Sequence, residues 1–414
     1  MKNSTLIAAL LLILVSPFFW SCDDDDPIEP NEITIAPGPN AEQELQMAMI
    51  DVKDGWTIIL EEGTFEIGST LSMDGKNNVT LRGAVSGQTI LDFAGQNAGG
   101  DGILISNCND ITVSNLEIRD TQGDGLKLTG VTGVTIDDVF VQWTGAPSSD
   151  NGGYGLYPVL CTNVEIRNSK VRGASDSGIY VGQSTNALVH DNEAYENVAG
   201  IEIENTINAD VYDNNTYNNA GGILVFDLPG LTQAGVNTRV YNNTINDNNH
   251  DNFAPEGGIV AEVPPGTGIL VLATKGVEVF ENDITDNRIV GVATFSFVSI
   301  ASMIGLPIPP GFDPFFNDVH IHDNAISKSG TPNPNQTDIG LLLLSQFGTN
   351  PMPDLLTDGI FNPGSGSNGG LCIQNNTSVY FVNMDLAGQP PTPSLDLTQH
   401  DCEMDPIPQV NVNG

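Results

Sequence analysis

From Gly102 onward, short runs of alternating apolar and polar residues recur along the chain. Gly102–Ile105, Gly125–Leu128, Gly155–Pro158, Gly178–Val181, Gly200–Ile203, Gly222–Val225, Gly268–Val271 and Gly291–Thr294 each open on Gly, with Gly-to-Gly steps of 23, 30, 23, 22, 22, 46 and 23. Roughly ten residues after most of these glycines comes a second run: Val189–Asn192, Val211–Asn214, Val240–Asn243, Val279–Asn282 and Ile321–Asn324. Asn197, Asn219, Asn248 and Asn287 follow five residues after four of the run-ending asparagines. A period near 22 with three short strands per repeat predicts an all-β fold, one parallel β-helix of about ten coils. Each coil adds one strand spacing, giving a rod roughly 45–50 Å long. Asn at a fixed corner stacks into a ladder, each amide bonding the next.

Before the repeat, Ala41, Leu45, Ala48, Met49 and Val52 fall at helical spacing, with Asn40 as the expected N-cap. This helix is expected to cover the exposed edge of the first coil. Trp56–Leu60, Thr64–Ile67, Val79–Arg82 and Thr89–Phe93 read as strands. A propeller needs longer repeats with hairpin signals, and a leucine-rich repeat needs its own Leu spacing; neither is present.

Four stretches break the period: Trp143–Gly153, Asn249–Gly266, Asp227–Thr238 and Ser299–Phe316. They fall on the two corners flanking the Gly-initiated strands, so loops on both sides predict a groove along that sheet. The step of 46 is then one coil carrying two insertions. With period two, the residue after each Gly points inward and the next outward. The outward column reads Leu104, Lys127, Tyr157, Tyr180, Glu202, Leu224, Leu270 and Ala293, with Pro158 a threat to the register at Tyr157. Sugar rings stack on Tyr faces. Lys127, Tyr157, Tyr180 and Glu202 are therefore the candidate catalytic groups, with Lys127 or a phenolate as the base of a lyase or epimerase if its pKa is depressed. Trp143, Tyr154 and His250 are candidate substrate contacts. Asp101, Asp124 and Asp176, at the corner before the strands, are candidate Ca²⁺ ligands, with Glu202 able to join them. A carboxylate pair across the groove would instead suit hydrolysis. His320 and His322 share one strand face and form a further metal candidate.

Composition narrows the partners. The chain has 52 acidic and 13 basic residues among 414, a net charge of −39, which argues against nucleic acid. The 45 Gly and 42 Asn fit coil starts and corners. Cys108 and Cys161 fall within the repeat and are expected to be buried. Cys372 and Cys402 are expected to form a disulfide in an oxidising envelope. No haem, zinc-finger or Walker pattern occurs.

The first residues read as an address. Lys2 and the apolar run Leu6–Trp20 form a signal peptide over 1–21. Ser21-Cys22 resembles a lipobox, although Phe19 departs from the usual Leu; the resemblance implies lipidation at Cys22. Asp23–Asp26 are similar to the acidic export signal of surface lipoproteins, which implies an outer-membrane lipoprotein displayed at the cell surface. Residues 22–39 are expected to be a linker, 40–345 the β-helix and 346–414 a C-terminal cap or tail.

The runs Gly152–Pro158, Ser175–Gln183, Ala199–Asn205 and Gly221–Pro229 resemble a family of bacterial envelope parallel β-helix repeat proteins within the pectate-lyase-like superfamily. That resemblance implies a right-handed helix. The wider superfamily includes polysaccharide lyases, epimerases and hydrolases, but fold does not fix function. The expected role is a monomeric lipoprotein that binds or processes a polysaccharide. The alternative is a non-catalytic scaffold for a co-secreted protein partner.

Overall fold

A computed structural model describes residues 31–331, 337–347, 351–377 and 379–412. Cys22 and the signal segment lie outside the described residues.

The chain winds into a right-handed parallel β-helix. The Gly-initiated strands form one sheet of eleven parallel strands, from Ser69–Asp74 to Phe381–Asn383. The remaining strands form a second continuous system, also parallel. Register follows the sequence period: Tyr180 pairs Glu202, Glu202 pairs Leu224 and Leu224 pairs Leu270. The step of 46 is thus a single rung. Pro158 leaves the register intact, since Tyr157 pairs Lys127 and Pro158 pairs Leu128.

The Gly column has a steric cause. A Cβ on Gly125 would lie 2.7 Å from Gly155 O, and one on Gly200 would lie 2.7 Å from Gly222 O. Each coil start therefore abuts the carbonyl of the next rung, and only a hydrogen fits between. The residues that follow these glycines, Ile179, Ile201, Ile223 and Ile269 among them, are fully buried in the lumen.

Two Asn ladders close the corners. The Nδ2 of Asn192 donates to Asn214 Oδ1 at 3.0 Å, and the series runs through Asn243, Asn282 and Asn324 to Asn376. Asn197, Asn219, Asn248 and Asn287 form the second. A third ladder, not expected from the sequence, runs from Asn237 through Asn208 and Asn186 to Asn163 in the opposite direction, with its residues at positive φ. Outside the second strand system, His190, Tyr212, Tyr241, Phe280 and His322 stack with ring centroids 4.7–5.2 Å apart.

Helix α1, Ala41–Asp51, packs on the first coil through Leu45 and Met49. Asn40 makes no side-chain cap; Glu42 instead accepts from the Gly68 amide and the Ser69 hydroxyl.

Several expected boundaries and loops are corrected. The linker does not run to Pro39, because Glu32–Ile35 already pairs with Thr57–Leu60 through its alternating Ile33 and Ile35. The coils do not stop at 345, because Leu355–Thr357, Leu371–Gln374 and Phe381–Asn383 extend them. The insertions also do more than flank a groove. Helix α2, Phe297–Ile304, helix α3, Asp338–Phe347, and the short turn Ile259–Glu262 belong to one apolar layer that also holds the outward Leu224, Leu270 and Ala293. All three are buried. Covering one such Leu contributes about 1.5–3 kcal/mol. Among the described residues, the outward column is therefore open over the N-terminal rungs, where Ser72 is exposed and Leu104, Lys127 and Tyr157 are half-buried.

Candidate functional site

At the boundary between open and roofed rungs, three tyrosines converge. Tyr154 and Tyr157 lie on the strand Tyr154–Val159, and Tyr180 lies on the next, Ser177–Gly182. Their ring centroids are 4.4, 4.6 and 5.0 Å apart. Lys127 Nζ sits 4.5 Å from the Tyr157 ring centroid and 3.1 Å from Asp124 Oδ2. Tyr154 donates its hydroxyl to Asp176 Oδ2 at 3.2 Å.

A buried acidic layer lies behind the rings. Ser177 donates to Glu202 and Tyr180 donates to Glu204. Tyr180 and Glu202 are each 4% exposed. The Tyr180 ring leans along its own strand over Gly182, where a Cβ would meet it at 2.2 Å. Burial drives the protonation of these groups. Desolvation, then the Glu204 and Asp124 charges, pushes Asp176 up to about 7. Glu202 is raised well above the usual carboxylate range by desolvation, then by Asp176 and Glu204. Desolvation and neighbouring carboxylates lift Tyr157 to about 12, and Tyr154 and Tyr180 are raised further.

These facts correct the expected chemistry. The phenols are raised rather than depressed, so none is a ready phenolate base. Tyr180 and Glu202 sit behind the surface, where they support Tyr154 and Asp176 instead of meeting a ligand. Lys127 and Tyr157 remain reachable, as does Tyr154. Trp143 is 4% exposed and donates Nε1–H to Thr121 O at 2.7 Å; its ring fills the corner and offers no face to a sugar. The His250 ring packs edge-on against Phe253 within the insertion, and its amide bonds Asn219 O.

Nor do Asp101, Asp124 and Asp176 form a Ca²⁺ cage. Asp124 is held by Lys127, and Asp176 by Tyr154 and Ser177. Among the described residues, the one set of three or more His, Cys, Asp or Glu donors lying mutually within 4.8 Å is Glu278, His320 and His322. This group can hold a metal ion. Glu278 comes from the adjacent rung, where it pairs His320. The ladder carried the signal for it: Glu278 stands four residues before Asn282, and His320 four before Asn324. Glu204 was missed because period two alone does not show that Tyr180 leans along its strand.

Cys372 and Cys402 are bonded. Cys108 and Cys161 are free and buried.

A family model described as a right-handed β-helix region matches residues 69–230 and 139–305. The chain belongs to this right-handed β-helix family. Its structure is similar to the A-module of the Azotobacter vinelandii mannuronan C-5 epimerase AlgE4. That match has 16% identity and a TM-score of 0.51, and covers 81% of this chain and 90% of that one. It is also similar to the periplasmic alginate epimerase AlgG, at 14% identity and a TM-score of 0.40, with 85% and 82% covered. Pectate lyase Pel9A matches at 14% identity and a TM-score of 0.42, with 84% and 76% covered. No curated protein matches the chain. At such identities the likeness shows the fold alone.

Proposed function

We propose that this is an extracytoplasmic protein, tethered through a lipidated Cys22, that binds a polysaccharide over the open rungs of the Gly-initiated sheet. The observation that carries this reading is the Lys127–Tyr157–Tyr154 surface at the edge of the roof, with a buried acidic layer behind it whose carboxyls are raised above their usual range. Tyr154 and Tyr157 supply ring edges and hydroxyls for sugars, and Lys127 supplies one cation for a uronate carboxylate. The fold is shared with a protein named as a mannuronan C-5 epimerase, which supports a polysaccharide over other ligands. Processing of a uronate chain would fall to the same surface, with Asp176 as the group able to hold and release a proton near neutrality. The net charge of −39 means that an acidic chain binds here together with its counter-ions.

Titrating the mature protein with alginate, pectate and neutral glucan oligosaccharides, with and without Ca²⁺, tests this. At least one glycan should bind, and Lys127→Ala and Tyr157→Ala should each weaken it by about tenfold or more. Absence of binding across the panel, or unchanged affinity in both folded variants, would overturn the site. Growth of unsaturated-uronate absorbance would add lyase activity to binding. Capture of one stoichiometric secreted protein, with no glycan bound, would favour the scaffold role.

A further inference from the structure

On the second strand system, Asp210, Arg239, Glu278 and His320 succeed one another on adjacent rungs. Arg239 is bound to Asp210 at 3.0 Å and lies 3.8 Å from Glu278 Oε2, so one guanidinium is shared between the two carboxylates. Oxygen Oε2 of Glu278 accepts the Ile407 amide of the C-terminal tail at 3.1 Å. Oxygen Oε1 faces His322 Nε2 at 3.3 Å.

His322 Nδ1 lies 2.7 Å from Asp323 Oδ2, so the Nδ1 proton belongs in that bond. In the neutral ring Nε2 is then a lone pair, and it looks directly at a carboxylate oxygen. Either a proton on Nε2 or a metal ion between the two atoms completes this contact. A few ångströms away, His320 is 7% exposed, and its Nε2 has no hydrogen-bond partner although it is buried. The two imidazole centroids are 4.1 Å apart.

We infer that Glu278, His320 and His322 form a binding site for a divalent transition metal of the Zn²⁺ class. Two imidazoles and one carboxylate are the donor set such ions select, whereas Ca²⁺ prefers six or more oxygens. The separation of His322 Nε2 from Glu278 Oε1 already equals the edge of a tetrahedral zinc site, roughly 3.3 Å for ligands about 2.0–2.1 Å from the ion. Asp323 is the outer carboxylate that fixes the ring, as in many metal-bound histidines. The open side faces a cavity of about 560 Å³ lined by Glu278, His320, Met404, Asp405 and Pro406, which leaves the fourth position to water or a ligand oxygen. A bound ion on Oε1 and the tail amide on Oε2 would share one carboxylate, so metal occupancy also fastens the tail.

His190 supplies an internal control. It repeats the pairing, with Nδ1 on Asp191 at 2.7 Å and Nε2 on Glu165 at 3.4 Å. The next residue in its Glu column is Leu188, so the second imidazole is missing.

The test is titration of chelator-treated mature protein with Zn²⁺, with Co²⁺ as a spectroscopic probe and Ca²⁺ for comparison. We expect one equivalent of Zn²⁺ with a rise in Tm, tetrahedral Co²⁺ visible bands, and no equivalent response to Ca²⁺. Asp323→Asn should weaken Zn²⁺ by about 10–100-fold. His322→Gln and Glu278→Gln should weaken it more, and His190→Gln should leave it unchanged. Failure of the wild-type protein to take up one Zn²⁺ would overturn the site, as would full retention of affinity in folded His322→Gln and Glu278→Gln. The wild-type Co²⁺ spectrum decides the ligand field even where a variant fails to fold. None of these readings depends on glycan binding.

Discussion

Tyr180 hydrogen-bonds not to the residue opposite it on the next rung, Glu202, but to Glu204 two positions further on. This diagonal bond closes a buried acidic layer whose carboxyls are pushed above their usual range, by desolvation first. Asp176 is pushed up to about 7, and so is Asp227 beneath the roof, with desolvation first in both cases.

A carboxyl whose folded pKa is raised binds its proton more tightly folded than unfolded. Its stabilising contribution is complete below the unfolded value of about 4 and is lost as the pH climbs through about 7. The Tm should therefore fall between about pH 4 and pH 8. Glu204→Gln removes a charge that raises both Asp176 and Asp227, so its Tm should fall less over the same range. Parallel melting curves for the two proteins would refute this account.

The Gly column predicts a sharp positional effect. Gly200→Ala places a methyl 2.7 Å from Gly222 O, whereas Gly38→Ala meets nothing within 4 Å. The first should cost about 1–3 kcal/mol in denaturant unfolding. The second should be close to neutral.

The ladders predict a larger loss. Asn214 Oδ1 accepts both the backbone amide and the Nδ2 of Asn192. Asn214→Ala strands two buried donors at roughly 1–3 kcal/mol each, or about 2–6 kcal/mol in all. Chemical denaturation measures it directly, and a loss below about 1 kcal/mol would show that the corner relaxes.

The Cys372–Cys402 bond closes a 30-residue separation and pins the start of the tail one rung beyond His320. Reduction should cost about 3–4 kcal/mol in the chain-entropy model. It should also speed hydrogen exchange at Ile407 and Val410, whose amides bond Glu278 and Asp210. Unchanged exchange after reduction would show that the tail is held by its own contacts.

The coils were legible because two residue types recur for steric and hydrogen-bonding reasons that hold at every turn. Gly fits where carbonyls abut, and Asn fits where a corner amide must bridge rungs. The roof was not legible, since insertions have no period and α2 and α3 pack chiefly through apolar side chains. A signal did exist: Leu224, Leu270 and Ala293 turn apolar on the outward face, which implies a cover. The tyrosine cluster was found in outline, through Lys127, Tyr157 and Tyr180 on neighbouring rungs. Accessibility was what alternation could not supply, and it separates Tyr157 from Tyr180.

The direction of the ladders has a consequence for how the molecule is made. In the long inner ladder, the Nδ2 of each Asn from Asn192 to Asn324 reaches forward to the Asn of the following rung. As the polypeptide emerges N-terminus first, the newest corner always waits for a segment not yet synthesised. An incomplete rod thus carries an unsatisfied amide at this corner until Asn376 completes the series.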